Sequence, residues 1–367
     1  MSRAERVALD TEFHAERRYL PKLYLVQLRL DDGSTWLVDP ERSGHIEALA
    51  EPLRTTTWVV HGGLQDMRIL RDALGALPET VFDTQVAAAL VDEAYPAPFA
   101  GLLDTWLGVR IQKLATLSDW SRRPLEARQL GYAAEDVRLL LDLWDRLAAE
   151  AHALGRTALV RAACAEARAR VVDPPPADLA WRDIRAARVL DPHEAAILQE
   201  LCAWREQTAR ALDQPSRFVL ADGLLTELSR RRPLTLESLA ANRRVSRSLV
   251  KKHGEEILDR IRRASQRPEW AWPQPVKANS PAARRTSWLR TWAAASGHAN
   301  RWAPDFALPR RLAEDLASEP PASRAVLANQ LGAWRNTLLG DALWDAVQGR
   351  AGLRIDGDVQ IIPLPRD

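Results

Sequence analysis

"VALDTEFH", residues 7–14, decides how the rest of the chain is read. Val7, Ala8 and Leu9 form the kind of apolar run that becomes a buried strand. Asp10 and Glu12 continue it, and residues two apart on a strand point to one face. Two carboxylates would therefore stand side by side at the end of an apolar strand. Their repulsion is costly unless positive charge lies between them.

Strand and helix signals alternate around this stretch as far as residue 150. "LYLVQLRL" (23–30) and "STWLVDP" (34–40) flank Asp31-Asp32-Gly33 and read as a hairpin. "TTTWVVH" (55–61) reads as a buried strand, and Gly62-Gly63 leads into a helix at "LQDMRILRDAL". "VFDTQVAAALV" (81–91) is a short strand entering a helix, and residues 125–151 are one long amphipathic helix or two in sequence. This pattern predicts an α/β layer domain, a mixed sheet with helices packed on it. Past residue 155 no strand signal is read, and Pro174-Pro175-Pro176 and "RPEWAWPQPV" (267–276) punctuate two helical regions. "FVLADGLLTELSRRRP" (218–233) aligns without a gap on "FALPRRLAEDLASEPP" (306–321). Phe218, Leu220, Leu224, Leu228 and Pro233 meet Phe306, Leu308, Leu312, Leu316 and Pro321, which points to a duplicated small helical domain.

At 367 residues, 46% hydrophobic and 27% charged, the chain is expected to fold into two or three globular domains. It has no run of about 18 apolar residues, so no membrane span is expected, nor is a secretory leader read at its start. Cys164 and Cys202 lack metal-ligand spacing and are expected to be reduced core thiols of a cytoplasmic protein. Charge is uneven: residues 1–150 carry 17 Lys and Arg against 24 Asp and Glu, the remainder 34 against 25. An acidic front suits a site that holds cations, and a basic rear suits modules that meet a polyanion.

Three features of the front half belong together: the Asp10/Glu12 pair, Asp66 at the start of the helix after "WVVHGG", and Tyr132 with Asp136, four apart on one helix face. Each alone has an ordinary reading as a helix-end charge, a packing tyrosine or a solvated face. Together, four carboxylates on strand and helix ends are what two divalent cations about 3.5–4 Å apart require for phosphoryl transfer. Oxygen donors without a His or Cys cluster suit Mg²⁺ or Mn²⁺. Tyr132 could hold the attacking water. No G-x-S-x-G or Gly-rich phosphate loop competes with this reading.

"ALDTEF", "HGGLQD", "DTQVAA" and "DWSRRPLEARQLGYAAEDV" resemble, in order and spacing, the ribonuclease D family of 3′-to-5′ exonucleases. The resemblance implies a ribonuclease H-like α/β domain followed by two all-α helical bundles of the helicase-and-RNase-D C-terminal (HRDC) type. "LAWRDIRAARVL" (179–190) and "LCAWREQTARALDQPSRFVL" (201–220) are similar to the family's entrance to the first module. Carried over by the resemblance, Asp10 bridges two metal ions, Glu12 and Asp136 complete the site of the water-activating one, Asp66 holds the second, and Tyr132 orients the hydroxide. Thr11 and Phe13 would lie beside the terminal nucleotide, and Lys113 and Arg123 stand where the family often has basic residues near substrate. His61 is expected to pack at a strand end. Asp10 follows only nine residues, fewer than the family usually carries. The expectation is a sheet without an outer strand, or a start internal to the natural protein.

The implied organisation is an exonuclease domain over 1–155, a helical linker over 156–190, a first HRDC domain over 191–267, a Pro-rich linker over 268–283, a second HRDC-like domain over 284–352 and a tail over 353–367. Residues 228–267 hold 12 Lys and Arg against 4 Asp and Glu. Within them, Lys251 and Lys252 beside a turn at Gly254 would suit phosphate binding without base readout. The expected activity is metal-dependent trimming of RNA 3′ ends, tRNA precursors among them, by a monomer that meets no membrane. The alternatives are a DNA exonuclease of repair and a catalytically weak nucleic-acid-binding protein.

Overall fold

The computed structural model describes residues 4–42, 44–92, 94–111, 118–172, 177–268, 280–356 and 358–364. The chain divides into two compact units. One gathers the described residues of Met1–His14, Lys22–Asp173 and Arg284–Asp367, the other those of Ala15–Pro21 and Pro174–Ala283.

The first unit is built on a five-stranded sheet of β1 (Arg6–His14), β2 (Lys22–Leu30), β3 (Thr35–Val38), β4 (Thr57–Val60) and β5 (Val81–Asp83) in the order β3-β2-β1-β4-β5. β1 pairs antiparallel with β2 and parallel with β4, so the sheet is mixed as expected. Central position explains the apolar run: Val7, Ala8 and Leu9 are all buried. One sheet face packs Val7, Leu9, Val26, Leu28 and Trp58 against α1 (His45–Thr55) and α2 (Leu64–Leu74). α3 (Thr84–Ala89) and α4 (Phe99–Leu107) follow β5. The stretch 125–151 divides at Leu139 into α5 (Ala127–Arg138) and α6 (Leu140–Ala153), whose Val137, Leu140 and Leu141 cover Ala8 and Val59 on the other face. α7 (Thr157–Val172) ends this run.

The second unit is helical: α8 (Pro192–Leu212), α9 (Ser216–Val219), α10 (Asp222–Arg231), α11 (Leu236–Ala240) and α12 (Arg247–Gln266). Leu198, Leu201, Trp204, Leu225, Leu228, Ile257 and Ile261 form its core. Asp191 caps α8 in a reciprocal box with Glu194. The segment between β1 and β2 belongs here, because the Asp213 carboxylate accepts from the amides of Tyr19 at 3.1 Å and Leu20 at 3.2 Å and pairs with Arg18.

The later helical region repeats that order with α13 (Pro281–Asn300), α14 (Pro304–Ala307), α15 (Arg310–Ser318), α16 (Arg324–Leu331) and α17 (Ala333–Val347). It belongs to the sheet's unit. Trp334 joins the core formed by Val86, Leu103, Leu147 and Val160. Its indole donates to Glu166 at 2.7 Å, and Arg335 pairs with the same carboxylate at 2.8 Å. The Arg156 guanidinium donates to the carbonyls of Leu90, Asn300 and Arg301 at 2.6–2.8 Å.

The chain returns to strand after α17, in the antiparallel ribbon of β6 (Ala351–Asp356) and β7 (Asp358–Pro363). This corrects the reading of no strand past residue 155. Alternation of Leu353 and Ile355, then Val359 and Ile361, carries the signal, but over too few residues between charges to stand out. Both cysteines are buried and unbridged. Among the described residues no helix is long and apolar enough to cross a membrane.

Candidate active site

β1 outruns its parallel neighbour. Its pairing with β4 covers Arg6 to Ala8, so Asp10 and Glu12 extend past the end of that ladder, on the face covered by α5. Beyond the carboxyl ends of parallel strands is where open α/β sheets place their ligands. There the chain leaves β4 through Gly62 and Gly63. Gly62 has φ +60°, and a Cβ on Gly63 would sit 2.5 Å from Val60 Cγ2, so both glycines are needed for the turn. Asp83, at the end of β5, fastens that turn by accepting from the amides of Gly62 at 2.9 Å and Gly63 at 3.0 Å. α2 consequently starts with Asp66 in its first turn, buried and accepting the Thr11 hydroxyl. α5, opened by a capping box of Glu126 and Gln129, brings Tyr132 and Asp136 in from the other side on successive turns.

These five side chains share one electrostatic environment. Burial pushes Asp10 well above the ordinary carboxylate range, and the charges of Asp66, Asp136 and Glu12 push it further. Glu12 is raised to about 8, first by burial and then by Asp136 and Asp66. Burial raises Asp66 too, against the hydrogen bond from Thr11. The Tyr132 phenol is raised by burial and by Asp136, Glu12 and Asp10, so it stays protonated and able to donate. No Lys or Arg is among the main influences on Asp10, Glu12 or Asp66. The structure thus assembles the repulsion foreseen for "VALDTEFH".

An all-oxygen donor set under mutual repulsion fits hard divalent cations. Among the described residues, no three His, Cys, Asp or Glu side chains are gathered tightly enough to coordinate an ion as they stand. Asp66 is turned onto Thr11 instead.

The remaining sequence-predicted residues separate. Thr11 is buried, and its hydroxyl donates to Asp66. Phe13 is half-buried just past a bulge at Glu12/Phe13. Arg123 is engaged structurally: it pairs with Asp39 at 2.7 Å and donates to the carbonyls of Trp120 and Tyr24. Lys113 lies outside the described residues. His61 packs against Phe99 with Nδ1 3.0 Å from the Thr84 hydroxyl. Gly254 forms no turn. It is buried inside α12 against Leu236, where a continuous helix uses its own amides, so the expected backbone anion site is absent. Lys251 and Lys252 are exposed, and with Arg230, Arg243 and Arg247 they make no salt bridge among the described residues. Asp83 was missed by sequence reading, although an Asp before "TQ" at a strand-to-helix junction is an N-cap signature.

A mixed-sheet domain with this acidic cluster, followed by small helical bundles, is the architecture of a 3′-to-5′ exonuclease with appended nucleic-acid-binding modules. Residues 1–152 match the family model described as a 3′-5′ exonuclease, and residues 194–261 match the HRDC domain. The chain is 31% identical to ribonuclease D of Pseudomonas paraeruginosa, over 93% of this chain and 92% of that one. It is 34% identical to ribonuclease D of Escherichia coli over 74% and 72%. The crystal structure of the Escherichia coli enzyme, an exoribonuclease involved in structured RNA processing, superposes with a TM-score of 0.77 at 29% identity, covering 94% of each chain. The chain belongs to the ribonuclease D family, and it is a 3′-to-5′ exoribonuclease.

Proposed function

We propose that this chain trims the 3′ ends of structured RNA, such as tRNA precursors, by hydrolysis at two divalent cations, Mg²⁺ or Mn²⁺, releasing nucleoside 5′-monophosphates. The observation that carries the reading is the cluster of Asp10, Glu12, Asp66 and Asp136, in which burial and then the neighbouring carboxylates raise Asp10 and Glu12 above the ordinary range. Asp10, Glu12 and Asp136 would hold one cation, and Asp10 with Asp66 the other. When bound, the cations would make a water nucleophilic near neutral pH and stabilise the leaving oxygen. Tyr132, kept protonated by burial and by its acidic neighbours, would orient the attacking water by hydrogen bonding. Arg230, Arg243, Arg247, Lys251 and Lys252 offer exposed charge for RNA phosphates, a binding that would weaken with added salt. The structured-RNA role printed for the Escherichia coli relative supports the substrate class.

The test is digestion of an RNA labelled at a single-stranded 3′ tail beside a stem, with and without Mg²⁺ or Mn²⁺. Asp10→Asn and Asp136→Asn should each abolish mononucleotide release. Undiminished cleavage by both variants overturns the proposal.

A further inference from the structure

Gln27 lies on β2 directly across from Asp10 on β1. Residues paired across an antiparallel ladder put their side chains on one face with Cβ atoms about 4.5–5.5 Å apart. The Gln27 carboxamide therefore shares the face that α5 covers with the Asp10 carboxylate. Leu25 two residues before it and Leu37 across on β3 are apolar, while Arg29 two residues after it and Glu12, opposite Leu25, are further polar groups of that face. Gln27 is completely buried, at 0% exposure, yet neither Nε2 nor Oε1 has a hydrogen-bond partner among the described residues.

A buried amide without a partner is destabilising, whereas an apolar side chain of the same size would fill this place without that cost. Packing alone therefore gives no reason for glutamine at position 27. Of the polar groups on that face, Asp10 is the one paired directly opposite, and the Arg29 guanidinium is given to Gly33 and Thr35. Carboxylates that hold metal ions are themselves commonly held by hydrogen bonds, which fix where their oxygens point.

We propose that Gln27 is a positioning residue for the hydrolysis. In the cation-bound state its Nε2–H donates to one Asp10 oxygen and so directs the other toward the ions. This inference rests on the reading of Asp10 as a shared metal ligand. Gln27 itself touches neither substrate nor ion.

The experiment uses the full chain as wild type, Gln27→Met, Gln27→Leu and Asp10→Asn. Three quantities are measured: Mn²⁺ binding without RNA, kcat and KM for nucleotide release, and Tm without divalent cations. Gln27→Met should keep or raise Tm, because it removes an unpaired amide. Its Mn²⁺ affinity and kcat should each fall roughly 10–100-fold, with KM for RNA unchanged. Gln27→Leu should behave alike, so that a packing defect special to one side chain is recognised. Wild-type Mn²⁺ binding and kcat in both variants overturn the proposal. Loss of activity together with a lowered Tm in both also overturns it, in favour of a packing role. If Asp10→Asn binds Mn²⁺ as wild type does, the metal reading itself has failed. If Asp10→Asn loses Mn²⁺ and the Gln27 variants do not, only the positioning role has failed.

Discussion

Two carboxylate sites in the same unit are built on opposite terms. Glu166, on α7, meets Arg335, Arg170 and the Trp334 indole. Burial works against its ionisation, yet the charge and hydrogen bonds of Arg335, with Trp334 and Arg170, hold it below the ordinary range. The more deeply buried Arg335 is itself pushed down by burial, so the gain falls on the acid. Asp10 and Glu12 are driven the other way, above the ordinary range, with carboxylates as their principal charged neighbours. One site carries its own cation and joins two segments of the chain. The other gathers acids whose mutual repulsion an added positive charge would relieve. A buried acid with its partner in the sequence is holding structure; buried acids facing one another mark chemistry.

The contrast can be broken most visibly at Glu166. Glu166→Ala leaves Arg335 buried without its partner and should destabilise the chain by about 3 kcal/mol, read from urea unfolding. An unchanged midpoint would mean that the Glu166–Arg335 pair does not help hold the later helical region to the sheet's unit. The stability that Glu166 contributes is present above its ordinary value of 4.5 and is lost as pH falls through its lower folded value.

Glu12 should behave with opposite sign. Its folded value of about 8 exceeds the ordinary 4.5, so the folded state binds more protons between those limits. Stability in cation-free buffer is therefore full below 4.5 and is lost as pH rises toward 8. Glu12→Gln should raise cation-free stability near pH 8 by about 1 kcal/mol and flatten its pH dependence in that window, while nucleotide release is lost. A variant less stable than wild type there would sink the contrast.

Much of the α/β domain was legible because its signals are local. Period-two apolar strands, the Asp31-Asp32-Gly33 turn and the Gly62-Gly63 exit each declare themselves within a few residues. The acids were legible as a group because strand and helix periodicity place Asp10 with Glu12 and Tyr132 with Asp136. What escaped depends on distant partners. Phe218 and Phe306 occupy aligned positions, yet Phe218 is 56% exposed while Phe306 stacks on Trp334 at 5.3 Å and meets Tyr95 at 4.9 Å. Helical spacing cannot tell those fates apart. The partners of Arg123 and Thr11 escaped for the same reason, since nothing near them in sequence announces Asp39 or Asp66. Gly254 was read as a turn because glycine usually punctuates, but here it lies buried in a helix beside Leu236.

The central claim, that Asp10, Glu12, Asp66 and Asp136 form a site for cations, is tested most directly by titrating Mn²⁺ into the RNA-free chain and counting bound ions by electron paramagnetic resonance. Wild type should bind about two ions, with affinity lost in Asp10→Asn because that carboxylate is shared between them. Wild type that binds no Mn²⁺, or Asp10→Asn that binds it as wild type does, would contradict the account.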